Sequence, residues 1–104
     1  MSEFAGVTVV KKANIYFDGK VVSHTVLFPD GSKKTLGVMQ IGEYEFATGA
    51  AEIMEIISGT LEWRMKGESN WIKTSGGQAF SVPANSTFEM RVSTVSDYCC
   101  TFVD

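Results

Sequence analysis

Strict alternation of apolar and polar residues between closely spaced turns is the feature that most limits the folds open to this chain. In the segment GEYEFAT, Tyr44, Phe46 and Thr48 share one face and two glutamates share the other. The segments GTLEWRMK and STFEMRV alternate in the same way. This period of two predicts half-buried antiparallel strands, each with one face on a core and one face in water.

Turn-forming residues separate these segments along the whole chain. The turn signals are Asp18-Gly19, Pro29-Asp30-Gly31, Ser58-Gly59, Lys66-Gly67, Gly76-Gly77 and Pro83-Ala84-Asn85. The runs between them are short and rich in Val, Ile, Thr and aromatic residues, which is typical of an all-β sandwich or barrel. We predict one domain over residues 1–104 with at most a turn or two of helix, in which residues 1–13 form a peripheral strand or arm.

The segment EIMEIIS is short, rich in isoleucine and closed by a glycine, which favours a strand over a helical turn. On a strand, its two faces hold Glu52, Met54 and Ile56, and Ile53, Glu55 and Ile57. Both faces are mostly apolar, so we expect other parts of the protein to shield both from solvent. We expect one face in the interior and the other against a second layer or a second copy of the chain, which predicts a homodimer.

The composition excludes several classes of function. The chain has 104 residues, nine Lys and Arg against twelve Asp and Glu, and a formal net charge of −3, so it offers no basic field to nucleic acid. No apolar stretch approaches the roughly 20 residues of a membrane span, and no secretory signal peptide is evident. Cys99 and Cys100 are neighbours, a spacing at which a disulfide is strained. We therefore expect reduced thiols in a cytoplasmic protein that binds neither nucleic acid nor membranes.

The spacing of glycine and proline resembles the two short motifs of the cupins, a superfamily of small jelly-roll β-barrels. Gly42, Glu52 and Gly59 match the frame of the first motif, and Gly77 and Pro83 match the start of the second. The resemblance implies a single-domain, cupin-like jelly-roll barrel.

The histidines that hold a metal ion in the cupin motifs are missing from this chain. Thr48-Gly49-Ala50 occupies the His-x-His region, and Phe88 occupies the position of the later histidine. Glu52 alone would hold a metal ion too weakly for it to persist. We therefore expect no bound metal.

Four longer segments resemble the pyrimidine/purine nucleoside phosphorylases, a family of small stand-alone cupins. The segments are YFDGKVVS, GVMQIGEYEFAT, EIMEIISGTLEW and FSVPANSTFEM, and the resemblance spans about residues 14–102. It implies that phosphate cleaves purine and pyrimidine nucleosides to free base and ribose 1-phosphate. It also implies nucleosides and phosphate as small-molecule partners, with phosphate as co-substrate and no metal or other cofactor.

Phosphorolysis requires a group that stabilises positive charge on the ribose and a wall against which the base packs. We interpret Glu52 as the catalytic carboxylate, because its position faces the cupin cavity. A solvated strand end or an internal salt bridge is the alternative. Tyr44, Phe46 and Phe88 are candidates for the base-binding wall, and plain core packing is their alternative role.

The groups that bind phosphate are less evident. Thr48 and Ser86 offer hydroxyls to substrate, or else cap a turn and a strand end. Arg91 and Arg64 are the only arginines and fall on the polar faces of their strands. Arg91 is a candidate ligand at a strand bend or across a dimer interface, and a solvated outer face is the alternative. Backbone amides of the segments TGAA and PANS are another possible cradle. We expect Lys33-Lys34 to be solvated charge.

Two other functions fit the same pattern. A non-catalytic cupin module would bind a nucleoside, base or sugar in the same cavity, and a metal cupin would use non-standard ligands. No acid–base pair in the sequence separates the enzyme from the binding module. Release of free base from uridine or adenosine only when phosphate is present distinguishes the two.

Overall fold

The computed structural model describes residues 2–103 as two antiparallel β-sheets that pack face to face. The strands are β1 (Thr8–Val9), β2 (Asn14–Tyr16), β3 (Val21–Leu27), β4 (Lys33–Met39), β5 (Gly42–Ala47), β6 (Ala51–Ser58), β7 (Thr60–Met65), β8 (Ile72–Ser75), β9 (Gln78–Val82), β10 (Thr87–Val92) and β11 (Ser96–Val103). Across residues 2–103, the only helical element is the three-residue 3-10 turn Phe17–Gly19. The prediction of an all-β chain with at most a turn or two of helix is confirmed. Within the same residues, no helix is long and apolar enough to cross a membrane.

The two sheets differ in size. The larger sheet has seven strands in the order β1-β3-β4-β11-β6-β9, with β2 also paired to β3, and the smaller has four in the order β5-β10-β7-β8. From β5 onwards the chain passes back and forth between the sheets, as in a jelly roll. Between residues 2 and 103 no strand of one sheet pairs with a strand of the other, so the jelly roll is layered and is not a barrel closed by continuous pairing.

The core lies between the sheets, on the faces that the alternation predicts. Phe88 and Met90 of β10 are buried, whereas Glu89 and Arg91 between them point to the outer face and are only partly covered. On β6, Met54 and Ile56 are buried and the isoleucines of the opposite face are exposed. The prediction of a two-sided apolar strand is therefore confirmed.

A glycine makes the crossing from β6 to β7 possible. Gly59 is the single residue between these strands and has a φ of +99°, a conformation that L side chains rarely adopt. A Cβ at Gly59 would also collide with the backbone of Val95 and Ser96. This tight turn joins β6 of the large sheet to β7 of the small one.

The outer face of the four-stranded sheet carries two parallel ion pairs. Arg64 Nε lies 3.0 Å from Glu89 Oε1, and Arg91 Nε lies 2.9 Å from Glu62 Oε1. Both guanidinium carbons lie 4.2 Å from the centre of the Trp71 ring. These five residues, Glu62, Arg64, Trp71, Glu89 and Arg91, are referred to below as the charged ladder.

Candidate active site

A cavity of about 160 Å³ lies between the two sheets. The seven-stranded sheet contributes Tyr16, Ser23, Thr35, Met39, Glu52, Met54, Tyr98, Cys100 and Phe102 to its lining, and the four-stranded sheet contributes Phe46, Ala47, Phe88 and Met90. All the polar side chains therefore belong to the large sheet, and the opposite wall is apolar. Such a cavity is suited to a ligand with one flat apolar part and one part rich in hydrogen-bonding groups.

Exposure to solvent divides the cavity into a mouth and a floor. Tyr16 and Ala47 are exposed, and Glu52 and Phe102 are half-buried. Thr35 and Phe46 are half-buried as well. Tyr16 lies in the row of Val21 and Met39, at the other end of the large sheet from Glu52 and Phe102, so the word mouth is used below for the end of the cavity at Glu52 and Phe102. The floor is formed by the buried lining residues Ser23, Met39, Met54, Phe88, Met90, Tyr98 and Cys100. Glu52 therefore stands where the cavity meets solvent.

Glu52 reaches this position because β6 pairs with strands on both sides. Its register partners are Phe102 on β11 and Val82 on β9. The thiol of Cys100 lies 3.5 Å from Oε1 of Glu52 and donates to it. Burial raises the pKa of Glu52, and the Cys100 hydrogen bond partly opposes that rise. Burial also raises the pKa of Cys100 well above its usual range, so the thiol stays protonated and acts as a donor.

A row of three residues places a tyrosine at the floor. Tyr98 pairs with Gly37, and Gly37 pairs with Ser23 on the next strand. A Cβ on Gly37 would lie 2.7 Å from Cε1 of Tyr98, so the ring packs across β4 only because this residue is glycine. Asn14 Nδ2 donates to Ser23 Oγ at 3.2 Å and so holds the serine beside the phenol.

The Tyr98 phenol is a neutral donor. Burial raises its pKa to about 12, and the Ser23 hydroxyl partly opposes that rise. The phenol is therefore protonated at every pH at which the protein is expected to work. The sequence alone does not single out Tyr98 or Ser23, because the row depends on which strands pair and in what register.

The three predicted wall aromatics divide into two groups. Phe46 and Phe88 line the cavity with nearly parallel rings, 6.0 Å apart between centroids. Tyr44 is buried but does not line the cavity. Its hydroxyl donates to the carbonyl of Gln40 at 2.7 Å, and its ring packs against Phe17.

Thr48 and Ser86 lie in the turns beside the cavity and bond to those turns. Thr48 Oγ1 donates to the carbonyl of Pro83 at 2.7 Å and accepts the Ser86 amide at 3.0 Å. Ser86 Oγ donates to the carbonyl of Ala84 at 3.0 Å. The amide of Thr48 donates to the carbonyl of Ser86 at 2.8 Å, and the amide of Asn85 donates to the carbonyl of Gly49 at 3.0 Å. Three amides of the TGAA and PANS segments thus join these segments to each other, which weakens them as a phosphate cradle.

Both arginines lie in the charged ladder, on the outer face of the small sheet. The structure therefore places Arg91 apart from the other predicted site residues, across β10 from Phe88. The parity argument predicted this face. Within one copy of the chain, the structure brings together Glu52, Phe46 and Phe88 at the cavity and leaves Tyr44, Thr48, Ser86 and Arg91 outside its lining.

The cavity lining does not fit the metal site of the cupins. Over residues 2–103, no three side chains of His, Cys, Asp or Glu lie close enough together to hold a metal ion. The lining offers one carboxylate and one thiol, and the raised pKa of Cys100 opposes the thiolate that a metal would need. The expected absence of a metal ion from the purified protein therefore stays a prediction.

Comparison with known sequences identifies the family. The family model described as pyrimidine/purine nucleoside phosphorylase matches residues 11–102. The chain belongs to this family. A pyrimidine/purine nucleoside phosphorylase of Trichlorobacter lovleyi is 69% identical over 99% of both chains. The protein of the same name from Pelobacter propionicus is 65% identical, again over 99% of both chains.

Solved structures share the fold. A protein of unknown function from Acinetobacter sp. ADP1 is 43% identical and superposes with a TM-score of 0.94, covering 97% of this chain and 98% of that chain. A cupin superfamily protein from Desulfitobacterium hafniense is 15% identical with a TM-score of 0.65, over 81% of this chain and 78% of that chain. The second likeness concerns the fold alone, and it confirms the predicted cupin jelly roll.

Proposed function

We propose that this chain is a nucleoside phosphorylase, a pentosyltransferase that cleaves purine and pyrimidine nucleosides with phosphate to free base and ribose 1-phosphate. It works in the cytoplasm and needs no metal or other cofactor. Membership of the family supports the reaction. The observation on which the proposal chiefly rests is a cavity with an apolar wall, a polar wall and Glu52 at its mouth.

The size of the cavity supports placing the base at the floor. An apolar cavity of about 150 Å³ holds one benzene-sized ring, so a cavity of about 160 Å³ has room for one ring of a base but not for the ribose, which is left at the mouth. Phe46 and Phe88 present flat rings, against which any base packs. The hydroxyls of Ser23, Thr35 and Tyr98 rotate to serve as donors or acceptors. The polar wall therefore accommodates the different edges of purines and pyrimidines.

Glu52 acts on the ribose in this arrangement. As the glycosidic bond breaks, its electron pair leaves with the base and positive charge builds on the ribose. A carboxylate beside the ribose stabilises that charge more in the transition state than in the bound nucleoside, and so accelerates the reaction. An oxygen of hydrogenphosphate then forms the new bond to C1′, and the proton that it carried ends on the departing base. Because the base departs into the floor, phosphate approaches C1′ from the mouth.

The test is a product assay on the purified protein with uridine and adenosine, with and without phosphate. We expect free base and ribose 1-phosphate in equal amounts, and only when phosphate is present. Nucleoside binding by calorimetry without any release of base would instead establish the non-catalytic binding module. A chelator-treated preparation is expected to keep its rate, and a rate restored only by added metal would contradict metal independence.

We also propose that two copies of the chain associate through the outer face of the seven-stranded sheet. Val38, Ile53, Ile57 and Val103 lie on this face and are 39% to 46% exposed. Covering such a patch is favourable at roughly 25 cal/mol per Å² of apolar surface. Light scattering at micromolar concentration is expected to give the mass of a dimer. Ile53→Lys should shift it to a monomer, whereas Ile41→Lys, at an exposed isoleucine between β4 and β5, should not.

A further inference from the structure

Phosphate binding is the part of the proposed reaction that the cavity does not explain. Of residues 2–103, no lysine or arginine lines the cavity. Both arginines belong to the charged ladder, where each has a carboxylate partner. A phosphate anion beside Glu52 needs a cation to offset the repulsion between the two negative charges. That cation has to lie at the mouth, because phosphate approaches the ribose from there.

Lys33 lies at this place. It is the first residue of β4, and the alternation of the strand puts it on the same inner face as Thr35 and Gly37. β11 pairs with β4 as far as Thr101 and Lys34, so Phe102 and Lys33 lie one step beyond the last pair. The Nζ of Lys33 is 5.3 Å from the centre of the Phe102 ring.

Phe102 connects this lysine to the reacting end of the cavity. It forms part of the mouth, and its register partner on β6 is Glu52. The Lys33 ammonium and the Glu52 carboxylate therefore flank one aromatic residue at the cavity entrance. An ammonium held over an aromatic ring gains a modest attraction, which favours conformers that keep the charge at the mouth.

We propose that Lys33 is the phosphate-binding cation of this site, a role that rests on the proposed phosphorolysis. With the base on the floor and the ribose at Glu52, phosphate lies on the solvent side of C1′, within the field of Lys33. The ammonium supplies up to three donors to phosphate oxygens. It also separates the roles of the two charges, because Glu52 stabilises the ribose cation while Lys33 holds the attacking anion. The sequence pattern of two adjacent lysines gave no sign of this difference.

Lys34 provides a matched control, because it carries the same charge one residue away on the opposite face. Its Nζ lies 5.4 Å from the ring centre of Phe4 and 5.6 Å from that of Phe28. Neither of these phenylalanines lines the cavity. Lys33→Gln and Lys34→Gln therefore change the net charge equally and differ in distance from the mouth.

The experiment measures the KM for phosphate and the KM for uridine in wild type, Lys33→Gln, Lys33→Arg and Lys34→Gln. We expect Lys33→Gln to raise the phosphate KM by about tenfold or more, the usual loss for a hydrogen bond to a charged group. The uridine KM should stay within about twofold. Lys33→Arg should restore most of the phosphate affinity, and Lys34→Gln should behave as wild type.

Calorimetric titration of the same four proteins with inorganic phosphate, in the presence of uracil, separates two failures. If wild type releases no base, the proposed function fails, and phosphate binding that is lost in Lys33→Gln alone still supports the assignment of Lys33. If phosphate binds Lys33→Gln and Lys34→Gln equally well, or does not bind wild type, the assignment of Lys33 is wrong. Equal phosphate KM values in Lys33→Gln and Lys34→Gln would overturn it in the same way.

Discussion

The two faces of β10 border two regions that differ in how many partners their charged side chains have. On the outer face, each arginine of the charged ladder bonds a carboxylate and stacks on Trp71. On the inner face lies the cavity, where, among residues 2–103, Glu52 receives one hydrogen bond, from the Cys100 thiol, and forms no ion pair. A charged group that already bonds a partner of opposite charge is less available to bind a ligand. The difference indicates that the ladder stabilises the sheet and that the cavity holds the groups available for chemistry.

The largest effect is expected for Glu52→Gln, which removes the charge and keeps the shape. If the carboxylate stabilises a ribose cation, kcat should fall by about 10²–10³, the usual loss for one preorganised electrostatic partner. The uridine KM should change much less, because the interaction strengthens mainly in the transition state. Steady-state phosphorolysis and thermal melting of the same preparation measure both effects.

Glu55→Gln is the control for this substitution. Glu55 lies on the same strand as Glu52, is exposed and belongs to the opposite face. The Glu55→Gln variant loses the same charge as Glu52→Gln and should keep the kcat of wild type. A folded Glu52→Gln protein with near-normal turnover would remove the carboxylate from the mechanism and leave catalysis to the hydroxyls of the polar wall.

A smaller effect is expected for Tyr98→Phe, which removes one hydroxyl from the floor. Loss of a neutral hydrogen bond costs roughly 0.5–1.5 kcal/mol, so the KM for uridine should rise by a few-fold to about tenfold. The phosphate KM should not change, because phosphate lies at the mouth. This pattern is the reverse of that expected for Lys33→Gln.

Tyr44→Phe tests whether the effect belongs to the cavity. The Tyr44 hydroxyl donates to Gln40 and lies outside the lining, so its loss should lower the melting temperature and leave the uridine KM unchanged. Equal KM increases in Tyr44→Phe and Tyr98→Phe would show that both act through general loosening of the core.

The sequence predicts the faces of the strands well because burial follows the period of two. The residues that alternate in GEYEFAT and STFEMRV point as their parity requires, and so does Glu52. The tight turn at Gly59 also follows from local residues alone. These features depend on residues that are adjacent in the chain, so they can be predicted from the sequence.

The composition of the polar wall depends on register, which the sequence leaves open. Ser23, Gly37 and Tyr98 come from three strands far apart in the chain and meet only because β4 lies between β3 and β11. Lys33 and Lys34 are indistinguishable in the sequence, yet their ammonium groups lie against different aromatic residues. Thr48 was a candidate ligand because of its hydroxyl, and its bonds across two loops become visible only in three dimensions.

A change in pH dependence is expected for Cys100→Ala. Burial raises the pKa of Glu52 and the thiol bond opposes that rise, so removing the thiol should raise the pKa further. If Glu52 acts as a carboxylate, activity is lost as pH falls through this pKa, and the acid limb of the kcat profile should move to higher pH. The value of kcat at its optimum should stay within a few-fold. Cys100→Ser, which keeps a donor, should move the limb less or in the opposite direction.

The same shift has a consequence for stability. A glutamate whose pKa is raised by folding binds more protons in the native state than in the unfolded state. Its contribution to the free energy of unfolding therefore falls as pH rises from the ordinary glutamate range through the raised pKa. Cys99→Ala is the control for the shift of the acid limb expected in Cys100→Ala, because Cys99 is also buried but pairs with Glu55 on the outer face. An acid limb that moves equally in both variants would exclude a specific action of Cys100 on Glu52.

The smallest effect on catalysis is expected for Arg91→Gln, in the charged ladder. The Arg91 and Glu62 side chains are 43% and 39% exposed, so the loss of their ion pair and of the stacking on Trp71 should cost only about 1 kcal/mol. For a domain of this size, such a loss lowers the melting temperature by about 4–8 °C. The KM for phosphate should stay within about twofold of wild type, because the guanidinium and the cavity lie on opposite faces of β10. A tenfold rise in the phosphate KM without a change in melting temperature would show that Arg91 enters the site of a second copy. The outer face would then be part of the active site, and the contrast between ladder and cavity would no longer separate structure from chemistry.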